Sequence, residues 1–202
     1  PLAAMKHVGV NVAADPLFTA SYTGVGGGLV LVAADDPGMH SSQNEQDTRH
    51  YGRAAKVPVL EPADSAEAHA FTKLAFQLSE DFDTPVILRL TTRIAHSRSL
   101  VDCEPREQRP LKQYQKNIAK YVMVPANARG RHVVVEERMQ KLQEYAETSP
   151  LNRVEMADTK IGVICSGSIY QYVKEVLPQA SILKLGMVYP LPERLIRDFA
   201  AQ

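Results

Sequence analysis

Gly28-Leu29-Val30-Leu31-Val32-Ala33-Ala34-Asp35-Asp36-Pro37-Gly38 is the stretch that decides how this chain folds. Leu29 to Val32 is an unbroken apolar run without alternation, the pattern of a strand covered on both faces in a parallel sheet. Asp35-Asp36-Pro37-Gly38 then stops it, because this sequence turns the backbone sharply. The same signal returns downstream. Val57 to Leu60 and Val86 to Leu90 read as second and third strands, and the clearest helix of the chain lies between them. Asp64 with Glu67 opens that helix, Phe71, Leu74, Ala75, Leu78 and Phe82 keep a helical spacing, and Pro85 closes it. Strand, helix, strand in that order calls for a parallel crossover.

Working outward, Asp15-Pro16 marks a helix start and Gly24 a stop. Ser42 with Glu45 three residues later makes a capping box, which predicts a helix beginning within Ser41 to Asp47. From Thr92 to Gly130 the pattern dissolves into charges and prolines, including Glu104-Pro105-Arg106-Glu107-Gln108-Arg109-Pro110, and reads as a linker. A helix resumes over Val133 to Glu147 on a stripe of Val135, Met139, Leu142 and Ala146. Ile161 to Cys165 has the composition of a buried strand, Ser166-Gly167-Ser168 leads into a helix with Ile169, Val173, Val176 and Leu177, and Ile182 to Leu185 is the next strand. Pro190 and Pro192 precede a last helix through Leu195, Ile196 and Phe199. The expected architecture is α/β, with two parallel-sheet domains at 1–95 and 131–202 and a linker at 96–130.

Composition narrows the function classes. The 202 residues are 45% hydrophobic and 23% charged, enough for one generous core or two modest ones. Basic and acidic side chains number 23 each, so no positive surplus exists to neutralise a phosphate backbone or an anionic bilayer. Nucleic acid is not an expected partner, and no apolar run approaches the length of a membrane crossing. Cys103 and Cys165 suit a reducing cytoplasm and cannot by themselves build a four-thiolate centre. The chain opens on Pro1, carries no signal-peptide pattern and closes inside a helical pattern, so it is expected to be a piece of a longer polypeptide.

Ligands of open α/β sheets sit beyond the carboxyl ends of the strands. The segment Asp35 to Asp47 lies there and concentrates acids, amides, hydroxyls and His40 beyond what a plain connection requires, which points to a site. The alternative is a solvated turn with a helix cap. Lys6, His7 and Asn11 fall on one face of a helix, with Val8 and Val12 on another, and are either a second part of that site or ordinary polar surface. Gly26-Gly27-Gly28 precedes a strand, the wrong order for a phosphate loop, and reads as a tight entry to the sheet. Cys165-Ser166-Gly167-Ser168 has the strand, loop, helix order of an anion site but matches no common nucleotide fingerprint. Neither serine stands in a nucleophile elbow, so a hydrolase triad is not supported.

Met5-Lys6-His7-Val8-Gly9-Val10-Asn11, together with the run from Gly28 through Asp36-Pro37-Gly38-Met39-His40-Ser41-Ser42-Gln43-Asn44-Glu45-Gln46 to Asp47, closely resembles the large alpha subunit of the indolepyruvate ferredoxin oxidoreductases. These belong to the thiamine-diphosphate-dependent 2-oxo acid:ferredoxin oxidoreductases. Leu60-Glu61-Pro62 and Val86-Ile87-Leu88-Arg89 extend the match, and Ile161 to Gly167 with Leu185 to Leu191 resembles a transketolase carboxyl-terminal domain.

The resemblance implies an incomplete pyrimidine-binding domain followed by a transketolase C-terminal type of domain. It implies oxidative decarboxylation of indole-3-pyruvate and other aryl pyruvates to acyl-coenzyme A, with thiamine diphosphate and magnesium as cofactors and ferredoxin as acceptor. Its implied partners are the rest of the alpha subunit, a smaller beta subunit, and in one reading a second copy of the chain. Lys6, His7, Asn11, Asp35, Asp36, His40, Ser42, Gln43 and Asn44 become cofactor-site candidates with no catalytic step assigned. The glutamate that acts on the aminopyrimidine, the Gly-Asp-Gly magnesium motif and the cysteines for iron-sulfur clusters are absent here, so this stretch alone is expected to be inactive. A nucleotide- or coenzyme A-binding module, or a subunit-assembly module, is the competing reading.

Overall fold

The computed structural model describes residues 1–103, 105 and 112–202. The first half runs β1 (Leu2–Lys6), α1 (His7–Val12), α2 (Ala14–Thr23), β2 (Val30–Asp35), α3 (Thr48–Ala55), β3 (Val59–Leu60), α4 (Ser65–Asp81), β4 (Val86–Thr91) and α5 (Thr92–His96). The second half runs α6 (Ile118–Tyr121), α7 (Pro125–Thr148), β5 (Asn152–Glu155), β6 (Asp158–Ser166), α8 (Ile169–Val176), β7 (Ala180–Leu185), β8 (Met187–Tyr189) and α9 (Glu193–Ala200).

The larger sheet has the order β1-β2-β4-β3-β8, all parallel except β8, which runs antiparallel to β3. Successive residues of its central strands face opposite sides, as the strand period of two demands. Val30 and Leu88 enter the core shared with Phe71, Leu78 and Leu142, on the side of α4 and α7. Leu31, Ala33 and Ile87 enter the core shared with Val10, Leu17 and Ala55, on the side of α1, α2 and α3. A strand covered on both faces has no position for a solvated residue, which explains the unbroken apolar run.

Local chemistry places α4 where the sequence does. Asp64 accepts from the Glu67 amide at 2.9 Å, and the Glu67 carboxylate reaches back to accept from the Ala63 amide at 2.8 Å. Phe71, Ala75 and Leu78 are the buried stripe. The helix ends at Asp81, before Pro85, and Asp83 takes a left-handed turn at φ 50°.

The second sheet has the order β5-β7-β6, with β6 parallel and β5 antiparallel to β7. Every residue of β7 is buried, whereas β6 is largely exposed, with Ile161 at 51% and Ile164 at 44%. The expectation of a buried strand over Ile161 to Cys165 therefore gives the strand but not its cover.

Other expectations shift. Lys6 ends a strand, so it shares no helix face with His7 and Asn11; β1 is short and lies at the sheet edge, too weak a pattern to see. The helix expected from Ser42 and Glu45 starts instead at Thr48, capped by Asp47, because Glu45 is drawn away to the Gly38 amide at 3.1 Å. Helix α7 begins at Pro125, eight residues before the expected start at Val133, and α6 also falls inside the segment expected to be a linker. Of the charged run Glu104 to Pro110, all but Pro105 lies outside the described residues.

Candidate functional site

The loop after β2 is anchored by buried charge. Asp35 is 2% exposed, and its carboxylate accepts from the Thr48 hydroxyl, from the Thr48 amide at 3.0 Å and from Arg89 Nε at 2.5 Å. Arg89, buried in β4, also gives Nη1 to Glu61 Oε1 at 2.7 Å. Glu61, buried after β3, accepts the Ser166 hydroxyl on Oε2 at 2.9 Å. Burying ions costs several kcal/mol each unless their hydrogen-bonding capacity is filled, and here Arg89 bridges two carboxylates while Arg49 Nε stands 3.7 Å from Glu61 as a second cation. The network fixes the carboxyl ends of β2, β3, β4 and β6 against one another.

The next shell shapes the loop itself. Asp36 accepts from the Thr92 hydroxyl at 2.8 Å and the Ser41 amide at 2.6 Å, with Lys6 Nζ 3.5 Å away. The Thr92 hydrogen bond, joined by that of the Ser41 amide, holds the Asp36 carboxyl well below the usual carboxylate range. Lys6 also donates to the Ser41 carbonyl at 2.7 Å. His7 is fully buried and donates Nε2 to the Asn44 carbonyl at 3.2 Å. Burial pushes the Asp47 carboxyl up, but its hydrogen bonds from Arg49 outweigh this and leave it below its ordinary value.

A cleft of about 600 Å³ opens beyond these strand ends. One wall comes from the first half: His40, Ala63, Asp64 and the Thr92–Ser99 segment. The other comes from the start of α8: Ser168, Gln171 and Tyr172. Two contacts tie the walls together, Gln171 Nε2 to Asp64 Oδ2 at 3.0 Å and the Arg93 guanidinium over the Tyr172 ring at 5.4 Å. Arg93 has no carboxylate partner among the described residues. The cleft thus presents this guanidinium, the imidazoles of His40 and His96, several hydroxyls and an apolar patch of Ile94 and Tyr172. That combination suits an anion carrying an aromatic or apolar body. A second cleft, about 900 Å³, lies between α3, α7 and β8 with the segment that follows it.

Of the nine residues singled out in the sequence, only His40 lines the first cleft. Lys6, His7, Asp36 and the Asn44 backbone are joined in the hydrogen bonding that shapes the loop, and Ser42 lies beside Asp36. Asp35 is committed to Arg89 and Thr48. Asn11, Gln43 and the Asn44 side chain are exposed and do not line the cleft. Arg89 and Glu61 carried a signal that could have been read: a charge inside or directly after an apolar strand must have a buried partner. Thr92, Arg93 and Tyr172 carried none.

The glycine run has its amides filled from within. Val25 and Gly26 donate to Asp83 Oδ1 at 2.9 and 3.2 Å, and Gly28 donates to Glu80 at 3.3 Å. In the Ser166-Gly167-Ser168 turn, the Ser166 hydroxyl is committed to Glu61, and a side chain at Gly167 would meet that same carboxylate. Only Ser168 faces the cleft.

The magnesium implied by the resemblance finds no holder among the described residues. No three metal-ligating side chains converge among the described residues. The buried carboxylates Asp35 and Glu61 are both paired to Arg89. No step is routed through that cofactor on this chain.

No family model matches the chain. Its sequence is 46% identical over its whole length to the indolepyruvate oxidoreductase subunit IorA of Archaeoglobus fulgidus, and 46% identical over 96% of its length to that of Methanothermobacter marburgensis. It covers 33% of each, so the chain spans about a third of the length of the curated relatives it matches. Among solved structures, the fold resembles a 2-oxoglutarate:ferredoxin oxidoreductase from Magnetococcus marinus, with TM-score 0.68 at 15% identity, covering 99% of this chain and 44% of that one. A transketolase variant from Pichia stipitis matches with TM-score 0.54 at 17% identity, over 97% of this chain and 25% of that one. Over its full given length, the chain is a homologue of a one-third segment of the indolepyruvate oxidoreductase subunit IorA.

Proposed function

We propose that the chain forms one wall of the substrate pocket of an oxidoreductase that converts indole-3-pyruvate and related aryl pyruvates to acyl-coenzyme A, with ferredoxin as electron acceptor. The observation that carries this reading is the 46% identity to IorA across the entire chain. Thiamine diphosphate, held elsewhere in the assembly, would supply the carbanion-stabilising chemistry. The partners in this reading are the rest of the subunit, a smaller beta subunit, ferredoxin and coenzyme A.

Within the first cleft, Arg93 binds the substrate carboxylate as a charge-assisted pair, since its guanidinium has no protein anion to satisfy it among the described residues. His40 and His96 add hydrogen bonds around the same anion, and Ile94 with Tyr172 packs the aryl group. The Asp35-Arg89-Glu61 network anchors the loop, and the neighbouring Asp36 holds Thr92 at the rim. It touches no reacting atom in this reading.

The test uses the longer protein that carries this segment, purified with its partner subunit. Viologen reduction by indole-3-pyruvate, dependent on coenzyme A, is expected. Arg93→Ala is expected to raise KM for the 2-oxo acid by at least about tenfold, the weight of one charge-assisted contact of roughly 1.5–3 kcal/mol. Absence of any aryl-pyruvate-dependent reduction overturns the functional assignment. Normal turnover with an unchanged KM in the Arg93 variant overturns the placement of the carboxylate.

A further inference from the structure

The second cleft, of about 900 Å³, carries a charge pattern that the fold does not use up. Arg49, Arg53 and Lys56 follow one another at helical spacing along α3 and its C-cap, with His50 beside them, and all four line the cleft. Like charges at that spacing repel each other. The helix dipole favours a cation in the last turn, which accounts for Arg53 but not for the row. The row as a whole calls for anions.

The protein supplies only two of them at close range. Arg49 Nη2 donates to Asp47 at 2.6 Å, and Lys56 pairs with Glu136 of α7 at 2.6 Å. Arg53 and His50 are exposed, and their side chains have no hydrogen-bond or ion-pair partner among the described residues. Tyr189 of β8 lines the same cleft with its hydroxyl also unpartnered among those residues. Burial pushes that hydroxyl up against the opposing pull of Lys56 and Arg53, so it stays protonated and can donate.

The other walls decide what the anion is attached to. The Lys56-Glu136 pair bridges α3 to α7 across the cleft, and Met139, Pro190 and Leu191 give it an apolar surface. Gln143 donates to the Leu191 carbonyl and fixes that surface in place. Glu144 and Glu193 repel an anion from their side of the cleft and accept hydrogen bonds from hydroxyl or amino groups. One guanidinium is enough for a carboxylate, whereas a guanidinium, an imidazole and a hydroxyl donor together match the several oxygens of a phosphate monoester.

We infer that this cleft binds a nucleoside monophosphate, with the phosphate on Arg53, His50 and Tyr189 and the base against Met139, Pro190 and Leu191. Glu144 and Glu193 accept from the sugar hydroxyls or the base. The cleft is of small-molecule size and combines an apolar surface with a few convergent polar groups, as ligand sites do. The inference does not depend on the activity proposed above, and its test needs no turnover.

The experiment is calorimetric titration of the longer protein, purified with its partner subunit, with AMP, GMP, CMP and UMP in turn. Each matching nucleoside and inorganic phosphate probe the two halves of the ligand separately. At least one nucleotide is expected to bind saturably with a Kd below about 1 mM, and at least about tenfold tighter than its nucleoside or inorganic phosphate. Arg53→Ala and His50→Ala, both at exposed positions, are each expected to weaken that binding, the first by about tenfold or more, with Tm unchanged. Tyr189→Phe, which removes only the hydroxyl, is expected to weaken it about threefold or more. Arg93→Ala, in the first cleft, is expected to leave it as it is. Absence of saturable binding by all four nucleotides overturns the inference. So does binding that ignores both Arg53→Ala and His50→Ala, or that is lost in Arg93→Ala, because the nucleotide would then sit elsewhere. Equal affinity for inorganic phosphate and the nucleotide would overturn the role of the apolar wall.

Discussion

Ser166 donates its hydroxyl to Glu61 Oε2 at 2.9 Å, joining residues 105 positions apart in the sequence. The bond fastens the end of β6 to the end of β3, and the cleft lies directly beyond it. Removing the hydroxyl takes one hydrogen bond from a buried carboxylate that Arg89 still neutralises. Ser166→Ala is expected to cost roughly 1.5–3 kcal/mol in urea unfolding, the range for hydrogen bonds to charged groups. No change in the unfolding midpoint would mean that water replaces the serine at no cost.

Arg89 is the more severe case. Arg89→Met preserves length and apolar bulk in β4 but removes the guanidinium shared by Asp35 and Glu61, leaving Glu61 only the more distant Arg49, whose Nε is 3.7 Å from Oε1. Breaking one side of a buried ion pair typically costs about 3–5 kcal/mol, and Asp35 loses its paired cation here. The expected outcome is a chain that is partly unfolded or has lost the ordered loop from Asp36 to Asp47. Combining Arg89→Met with Asp35→Asn and Glu61→Gln should recover much of the loss, since these three positions then bury no charge. Equal instability of the single and triple variants would show that Arg89 acts by packing alone.

The Asp36 carboxyl sits below its ordinary value because the Thr92 hydroxyl and then the Ser41 amide bind its charged form. A carboxylate depressed in the fold contributes stability above its unfolded value of 3.8, and that contribution is lost as pH falls through the folded value. Thr92→Val is therefore expected to destabilise the chain at pH 7, with the difference from the parent narrowing as the pH is lowered below 3.8. Urea unfolding at about pH 7, 4, 3 and 2 measures it, because the folded value lies well below 3.8. A deficit that stays constant across the series would assign the Thr92 effect to packing.

Gly186 sits at the junction where β7 gives way to β8. Its amide donates to the Leu151 carbonyl at 3.0 Å and to Asn152 Oδ1 at 3.1 Å, while its own carbonyl accepts from the Glu61 amide at 2.8 Å. A methyl group there would overlap the Leu151 carbonyl oxygen and press on the Phe71 ring. Because one obstacle is backbone, it cannot rotate away. Gly186→Ala is expected to cost about 1–3 kcal/mol, the usual penalty of overpacking. Gly130→Ala, whose added carbon meets nothing within 4 Å, is the control and should be neutral or slightly stabilising.

The parts of this fold legible in the sequence are those where one local signal dominates. Strands β2 and β4 are interior, so they must be apolar throughout, and α4 carries both its cap and a full buried stripe. Strands β1, β5 and β8 are short edge or antiparallel pieces held by pairing with distant residues, and no local pattern marks them. Ser42 and Glu45 fit a capping box as well as Asp64 and Glu67 do, but tertiary contacts send Glu45 to Gly38 and leave the cap to Asp47. The site shows the same division. The polar density after β2 was visible, yet most of it turns inward to build the loop. Arg93, Ile94, His96, Gln171 and Tyr172, which face the cleft, come from α5 and α8, whose sequences are unremarkable until β4 and β6 set them side by side.

β8 belongs by sequence to the second half of the chain and by hydrogen bonding to the larger sheet, where it flanks β3. During synthesis on the ribosome, the larger sheet must therefore wait with one border unfinished until nearly all of these residues have emerged. A protease nick in the connecting segment would likewise leave two pieces clasped together, so gel bands after limited digestion would report a cut that the native particle does not feel.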